Sequence, residues 1–253
     1  MTRPDSLPIG GHVTQLIRAC TFVARALARA VARVRITGAI DAIPRQGPVI
    51  LAANHSSNLD PVVIGGFLTQ SLDRRVNWLG KKELFDIPVF GWLARNGGIH
   101  PVDRGAADVD AFRLARRILD EGHLLAVFPE GTRSPDGTLQ AAKDGLALLA
   151  IRSGAPIVPI GIDGADRVWP KGRRLPRIGG HITVRIGEPF LLDAAEPGED
   201  RRAVKARATE RIMRSIADLL PERQRGVYAG PVDAPIDVPH DTPAAEAAAD
   251  RGA

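Results

Sequence analysis

The chain has 253 residues, 44% hydrophobic and 25% charged, which is enough for one large or two small globular domains with a sizeable core. Its single cysteine, Cys20, excludes an intramolecular disulfide and a cysteine-rich zinc site. The net charge is +5, but residues 231–253 hold five acidic residues and one basic residue, so the other 230 residues carry +9. A positive charge of this size favours anionic partners. The aromatic content of 4% and the lack of a nucleic-acid-binding motif argue against nucleic acid.

Residues 1–11, with two prolines and two adjacent glycines, predict a flexible start. Residues 12–35 contain neither proline nor glycine, and their periodicity predicts an amphipathic helix. Arginines occupy one face of this helix and apolar residues the opposite face: Arg18, Arg25, Arg29 and Arg33 against Leu16, Cys20, Val23, Leu27, Val31 and Val34.

This helix is compatible with two arrangements. Either its apolar stripe packs on the core of the protein, or the helix lies in a membrane interface with its arginines on lipid phosphates, and both can hold for different parts of the stripe. The lack of acidic residues between positions 12 and 35 and the N-terminal position favour the membrane. No stretch approaches the ~20 apolar residues of a spanning helix, and no apolar segment with a small-residue cleavage site indicates a signal peptide. We therefore expect a protein that does not cross the membrane.

Residues 36–222 alternate between strand and helix patterns, which predicts a single α/β domain with a mostly parallel mixed sheet flanked by helices. The predicted strands are 48–53, 76–80, 124–128, 157–162 and 182–186. The predicted helices are 60–68, 83–95 with an interruption at Pro88, 109–121, 141–152 and 202–220. Residues 223–253 are rich in Pro, Ala and Asp with few large apolar groups, and we expect a disordered acidic tail there.

Polar residues follow the first buried strand in the run Asn54-His55-Ser56-Ser57-Asn58-Leu59-Asp60. Functional groups of open α/β sheets collect beyond the carboxyl ends of strands. An aspartate close to a histidine can orient the imidazole and stabilise it once it has taken a proton. That chemistry activates an alcohol for attack, although the same spacing also fits Asp60 as a helix cap beside an exposed His55.

Another polar segment, Phe-Pro-Glu-Gly-Thr-Arg-Ser at residues 128–134, follows a second predicted strand. Gly131 permits close approach of the backbone, Arg133 offers a planar guanidinium suited to phosphate, and Thr132 adds a hydroxyl. Because a carboxylate repels phosphate, we expect Glu130 to orient a basic group or to bind substrate hydroxyls.

A third segment, residues 97–104, reads Gly-Gly-Ile-His-Pro-Val-Asp-Arg. We expect a turn here that presents Arg104 to a phosphate from a second side. The alternative is an exposed loop in which Arg104 pairs with Asp103.

Together these segments resemble the glycerolipid acyltransferase family, whose best-known members are the 1-acylglycerol-3-phosphate acyltransferases. The resemblance covers about residues 35–190, and the family's blocks stand in order: His55 to Asp60, a segment ending in Asp103-Arg104, residues 128–134, and Ala155-Pro156-Ile157-Val158-Pro159-Ile160. The second block has His100-Pro101-Val102 before Asp-Arg in place of the commoner aromatic-Ile form. That departure leaves the identity of the acceptor open.

The resemblance implies that His55 is the general base for the acceptor hydroxyl and that Asp60 orients it. It further implies an acceptor site for phosphate and glycerol, formed by Arg104, Glu130, Gly131, Thr132 and Arg133, with added charge from Lys81 or Lys82. Pro159 would shape the wall beside the acyl chain. The resemblance implies no metal and no cofactor, an acyl-CoA or acyl carrier protein thioester as co-substrate, and a lysophospholipid acceptor. It places a peripheral or monotopic protein on the cytoplasmic face of the cell membrane.

We expect direct transfer without an acyl-enzyme, because Ser56 and Ser57 lack a Gly-x-Ser-x-Gly elbow. A hydrolase or metal-dependent esterase is one alternative, but the sequence offers it no third ligand. A non-catalytic membrane-binding protein or lipid carrier is another, and it does not account for the four blocks. Glycerol 3-phosphate or another lysolipid also remains open as the acceptor. The basic segment 171–177 fits coenzyme A phosphates, an acidic carrier protein, a membrane contact or simply a solvated loop.

Overall fold

The computed structural model describes residues 10–86, 91–92, 94, 96–102, 108–193 and 198–230. The strands are β1 (Ala32–Gly38), β2 (Val49–Ala53), β3 (Val76–Lys81), β4 (Ile99–Val102), β5 (Leu124–Val127), β6 (Ile157–Asp163) and β7 (Gly180–Ile186). The α-helices are α1 (Gln15–Val31), α2 (Asp60–Leu72), α3 (Asp108–Asp120), α4 (Gly145–Ser153), α5 (Ala165–Val168) and α6 (Arg201–Ala217). Short 3-10 helices lie at Ile40–Ala42, Lys82–Asp86, Glu222–Gln224 and Gly226–Tyr228.

These seven strands form one sheet in the order β1-β7-β6-β2-β5-β3-β4. Neighbouring strands from β6 to β4 are parallel, β7 is antiparallel to β6, and β1 is parallel to β7. The predicted α/β domain with a mostly parallel mixed sheet is therefore confirmed. The carboxyl ends of β2, β3, β4, β5 and β6 meet at one edge, where the polar segments of the chain follow.

Helices cover both faces of the sheet. Apolar residues of α1, α2 and α5 pack with one face, whereas α3, α4 and α6 pack with the other. All five residues of β2 are buried, as expected for a central strand covered on both sides. This burial fixes the carboxyl end of β2 at the centre of the molecule, directly before His55.

The N-terminal helix is shorter than predicted and packs differently. It ends at Val31, and residues 32–38 form β1, in which Arg33 and Arg35 are exposed and alternate with the partly buried Val34 and Ile36. The predicted continuation of the helix to Arg35 is wrong, because this period-two alternation pairs with β7 at the sheet edge.

The arginine face of α1 is turned towards α2. Arg18 forms an ion pair with Asp73 at 2.6 Å, and the guanidinium carbons of Arg25 and Arg29 lie 5.0 and 5.1 Å from the centroid of the Phe67 ring. The outward strip of α1 presents seven exposed apolar residues, with the exposed Gln15 on the same side in the first turn: Leu16, Ala19, Phe22, Val23, Ala26, Leu27 and Ala30. Of the predicted apolar stripe, Leu16, Val23 and Leu27 are therefore exposed, whereas Val31 and Val34 pack against the core. The stripe is thus divided between the two arrangements considered from the sequence.

Further boundaries also differ from the predictions: α2 extends to Leu72 and α4 begins only at Gly145. β4 was not predicted, because Pro101 and the flanking glycines indicated a turn; His100 is buried in this strand and its Nε2 lies 3.0 Å from Asn77 Oδ1. Residues 82–86 form a 3-10 helix where an α-helix from 83 was predicted. The ordered body continues beyond 222, since Gln224 and Tyr228 are buried.

Residues 1–9 and 231–253, which include most of the predicted flexible start and acidic tail, lie outside the described residues. Within the part of the chain that is described, none of the helices has the length and apolar character needed to cross a membrane.

Candidate active site

Asn54 fixes the point at which the chain leaves β2. Its side-chain amide donates to Ile162 O at 3.0 Å, and Ile162 N donates to Asn54 Oδ1 at 2.7 Å. The side chain thereby extends the pairing of β2 with β6 by one step, using amide atoms in place of backbone atoms. The next residue, His55, is held at the edge of the sheet.

The turn after His55 curls around the Asp60 carboxylate. Asp60 is fully buried in the first turn of α2, and its Oδ2 accepts from Ser56 N at 2.8 Å and from Ser57 N at 2.7 Å. The same oxygen lies 2.9 Å from His55 Nδ1. Because a carboxylate oxygen only accepts, the imidazole proton belongs on Nδ1 and Nε2 carries the lone pair. The His55 side chain is 17% exposed, so the imidazole that carries Nε2 is accessible to solvent.

Residues 128–134 pack over the histidine. The Phe128 ring stacks on the imidazole with centroids 3.9 Å apart and 11° between planes. Ser134 N donates to His55 O at 2.7 Å, and His55 N donates to Glu130 Oε1 at 2.6 Å. Both backbone polar groups of His55 are therefore held by the second polar segment.

Glu130 is itself buried, with 3% of its surface exposed. Its second oxygen, Oε2, accepts from Gln140 N at 3.0 Å. Burial raises the pKa of Glu130 to about 8, and the amides of Gln140 and His55 offset that rise only in part. Both carboxyl oxygens thus face the protein backbone.

Cationic groups border the turn that holds His55. The Arg133 guanidinium donates to Asn58 Oδ1, and Lys171 Nζ donates to Arg133 O at 3.1 Å. Gly131 has a φ of +68°, a conformation that favours glycine, and the aliphatic stem of Lys143 lies beside its Cα. The site thus combines one basic imidazole with positive charge, as suits a phosphorylated hydroxyl compound.

A family model described as Acyltransferase matches residues 33–163 of this chain. That match spans the His55–Asp60 turn, residues 128–134 and β6, and covers more than half of the chain. The chain belongs to the acyltransferase family.

Curated relatives of this acyltransferase family member are named 1-acyl-sn-glycerol-3-phosphate acyltransferases, and two of them serve as examples. A chloroplastic one from Brassica napus is 32% identical over 151 residues, which cover 59% of this chain and 42% of the relative. One from Pseudomonas aeruginosa is 29% identical and covers 81% of this chain and 78% of the relative. The chain thus spans less than half the length of the Brassica protein but most of the bacterial one.

A solved structure resembles the acyltransferase fold seen here. The crystal structure of the 1-acyl-sn-glycerophosphate acyltransferase PlsC from Thermotoga maritima has a TM-score of 0.64 and 29% identity. The match covers 80% of this chain and 79% of that chain. The overall architecture of the two proteins is therefore shared.

The other predicted site residues of the acyltransferase are not part of this hydrogen-bonded cluster as described. Thr132 is exposed next to Arg133. Lys81 and Lys82 are exposed where β3 ends, at the same sheet edge as His55. Arg104 lies outside the described residues. Among the described residues, no three His, Cys, Asp or Glu side chains cluster as a metal site would require.

Pro159 is buried in the middle of β6, opposite Ala52. Its carbonyl accepts from Gly187 N at 2.9 Å, so its nitrogen also faces β7 and no bond to β2 is lost. Its ring lies beside the Gly187 Cα. The predicted role of Pro159 in the acyl wall stays a prediction.

Several residues that build the site were not singled out from the sequence. Asn54 and Asn58 stand inside the first motif, so their position in the polar turn was the available signal. Gln140 and Trp169 gave no local signal, because they reach the site only through the fold. The Trp169 carbonyl accepts from Ser57 Oγ at 2.8 Å and from Asn58 N at 3.2 Å.

Proposed function

We propose that this protein transfers a fatty acyl group from an acyl thioester to the free hydroxyl of 1-acylglycerol-3-phosphate, which yields phosphatidic acid. The names of its relatives suggest the acceptor. The observation that carries the proposal is the 2.9 Å contact between His55 Nδ1 and Asp60 Oδ2, which directs the basic Nε2 away from the carboxylate. Arg133, whose guanidinium donates to Asn58 of the turn that holds His55, supports a phosphorylated acceptor.

In the proposed reaction, His55 Nε2 removes the hydroxyl proton as the hydroxyl oxygen attacks the thioester carbonyl carbon. A C–O bond forms and the C–S bond breaks. The imidazolium then returns its proton to the departing thiolate, so the products are an ester and a free thiol. Asp60 keeps the imidazole oriented and stabilises its positive charge while it holds the extra proton.

Glu130 serves this reaction as a positioning residue. Its carboxyl oxygens accept from the backbone amides of His55 and Gln140, so it sets where His55 lies in relation to the Phe128 ring. Arg133, Thr132, Gly131 and Arg104 are proposed for the acceptor's phosphate. Either acyl-CoA or an acyl carrier protein thioester satisfies the donor chemistry.

The outward strip of α1 supports a membrane location. Phe22 and Leu27 are 66% and 62% exposed, and no charged residue lies within the strip. Burial of such an apolar strip at the boundary between lipid headgroups and acyl chains favours binding of the helix to the membrane. We therefore place the protein peripherally on the membrane that holds its acceptor, on the cytoplasmic face.

Product analysis tests the proposal. Purified protein is incubated with palmitoyl-CoA or palmitoyl acyl carrier protein and with lysophosphatidic acid, glycerol 3-phosphate or lysophosphatidylcholine in turn. We expect equimolar thiol release and phosphatidic acid only with lysophosphatidic acid. Thiol release without lipid product would instead identify a thioesterase, and product with another acceptor would reassign the substrate. A covalent acyl group trapped on Ser56 or Ser57 would contradict direct transfer.

A further inference from the structure

A basic loop, residues 171–179, connects α5 to β7 and combines two kinds of exposed side chain. It contains four cationic residues and no acidic one: Lys171, Arg173, Arg174 and Arg177. It also contains Leu175 and Ile178, which are 73% and 83% exposed. These two are the most exposed large apolar side chains among the described residues.

Hydrogen bonds hold this basic loop in a defined shape. Trp169 Nε1 donates to Arg173 O at 2.8 Å, and Arg173 Nε donates to Leu175 O at 2.9 Å. Arg177 N donates to Val168 O at 2.8 Å. The exposure of Leu175 and Ile178 is thus a feature of an anchored loop, and the fold supplies no partner for them among the described residues.

The two ends of the basic loop connect the candidate active site to α1. At one end, Lys171 Nζ donates to Arg133 O at 3.1 Å. At the other end, Gly179 N donates to Val31 O, the last residue of α1, at 2.9 Å. The loop therefore runs from the edge of the His55 site to the helix whose outward strip is apolar.

A hollow of about 350 Å³ lies behind the basic loop. Its lining combines the cationic Arg167 and Arg177 and the imidazole of His181 with the apolar Val168 and Ile178. Positive charge beside an exposed aliphatic group is the pattern that meets a lipid phosphate and its glycerol.

We propose that the basic loop is a second membrane-docking element, which inserts Leu175 and Ile178 between the lipids of an anionic bilayer. Coenzyme A or an acidic carrier protein would engage the cations, but neither accounts for two aliphatic side chains held in water. A bilayer takes both, the aliphatic groups among acyl chains and the cations at phosphates. With α1, the loop then holds the entrance of the His55 site against the surface that contains the acceptor. The role of the loop in acyl transfer rests on the proposed function, whereas the vesicle-binding test below does not depend on it.

Vesicle flotation of the full chain tests the proposal, with vesicles of phosphatidylcholine alone or mixed with phosphatidylglycerol. We expect the variant Leu175→Ser/Ile178→Ser, and separately Arg173→Gln/Arg174→Gln, to bind mixed vesicles about tenfold or more weakly than wild type. The control Val109→Ser/Leu191→Ser removes two side chains that are each 57% exposed. Val109 lies on α3, on the sheet face opposite α1, and we expect this control to bind like wild type.

A second assay separates this proposal from the proposed function. With short-chain donor and acceptor dispersed as monomers, the Leu175→Ser/Ile178→Ser variant should keep the activity of wild type. Unchanged vesicle binding by both loop variants would overturn the docking proposal. So would a raised donor KM in Arg173→Gln/Arg174→Gln with vesicle binding intact, since the loop would then be a donor site. Absence of acyl transfer by wild type would overturn the proposed function, whereas vesicle binding would still test the docking proposal.

Discussion

Asp60 shows how one carboxylate can organise both a turn and a base. Its Oδ2 accepts from two backbone amides and from His55 Nδ1, whereas its Oδ1 is buried without a hydrogen-bond partner among the described residues. An asparagine can therefore place its amide oxygen at the Oδ2 position and its NH2 group at the Oδ1 position. The substitution Asp60→Asn removes the negative charge and leaves the turn in place.

We expect Asp60→Asn to lower kcat by about 10²–10⁴-fold, because the imidazolium loses its counter-charge. The change in thermal unfolding temperature should be small, since the turn keeps its acceptor. Initial rates with monomeric substrates and a melting curve check both statements. A folded variant with wild-type kcat would show that His55 needs no carboxylate partner.

Glu130 distinguishes positioning from substrate binding. Both of its oxygens accept from backbone amides, so in Glu130→Gln one amide must face the new NH2 group and lose its acceptor, at a cost of about 1–3 kcal/mol. We expect displacement of His55, with kcat at least about tenfold lower and the acceptor KM nearly unchanged. A raised acceptor KM with unchanged kcat would assign Glu130 to the acceptor instead.

The same residue makes stability depend on pH. The pKa of Glu130 is raised from 4.5 to about 8, so the folded state holds this proton more tightly than the unfolded state. The free energy of unfolding should therefore fall as pH rises from 4.5 to 8, by on the order of 1 kcal/mol per pH unit. The pKa of His100 is lowered from 6.5 to about 4. Between these two pH values the titration of His100 therefore raises the free energy of unfolding as pH rises and opposes the trend.

Urea unfolding of wild type and Glu130→Gln between pH 6.5 and 8 isolates the contribution of Glu130, since the histidines titrate alike in the two proteins. Wild type should lose stability across this interval, and Glu130→Gln, which has no titrating group at that position, should lose less. Parallel curves for the two proteins would contradict the raised pKa.

At the scale of elements, α1 divides its surface between the protein and its surroundings. Ile17 and Ala28 are buried, whereas Phe22 and Leu27 face outward. We expect Phe22→Ser/Leu27→Ser to reduce binding to anionic vesicles about tenfold or more, because two apolar groups no longer enter the interface. Its melting temperature should match wild type, since neither side chain packs on the core.

Ile17→Ser is the matched control for α1. It should lower the melting temperature, since a polar group replaces a buried side chain, while the apolar outward strip stays intact. Vesicle binding lost equally in this control and in the outward variant would point to unfolding of the helix rather than to loss of membrane contact.

Periodicity predicted most elements but not those at the sheet margins. β2, β5 and β6 are buried runs bounded by turn residues, and the pattern was sufficient for them. β1 was merged with α1, because Arg33-Val34-Arg35-Ile36 follows the helix without a proline or glycine to separate the two. β4 was missed because it is stabilised by pairing with β3, and the local sequence of a proline-containing segment does not indicate such pairing.

At the scale of the whole molecule, the sequence identified the segments that meet at the candidate site but not the residues that support them. His55, Asp60 and residues 128–134 were predicted from motifs, and the fold brings them into contact. The clamp of Glu130 on the His55 backbone was not predictable, because it depends on β2 and β5 lying side by side in register. The outward position of the apolar strip also required the fold, since periodicity separates the two faces of a helix without saying which one meets the protein.

Charge at this scale agrees with the proposed membrane location. The first 230 residues carry +9 and residues 231–253 carry −4, so the basic body is attracted to anionic lipid. The arginines of α1 contribute to that field although they also contact α2. The basic loop adds four cations beside the candidate site.

The central claim is that His55 is the base of an acyl transfer to lysophosphatidic acid. Its most direct test is single-turnover formation of phosphatidic acid from labelled palmitoyl thioester by wild type, His55→Ala and His12→Ala. His12 is an exposed histidine that precedes α1 and serves as the matched control. We predict product from wild type and His12→Ala, with a rate at least about 10²-fold lower for His55→Ala. Equal rates for all three proteins would contradict the account.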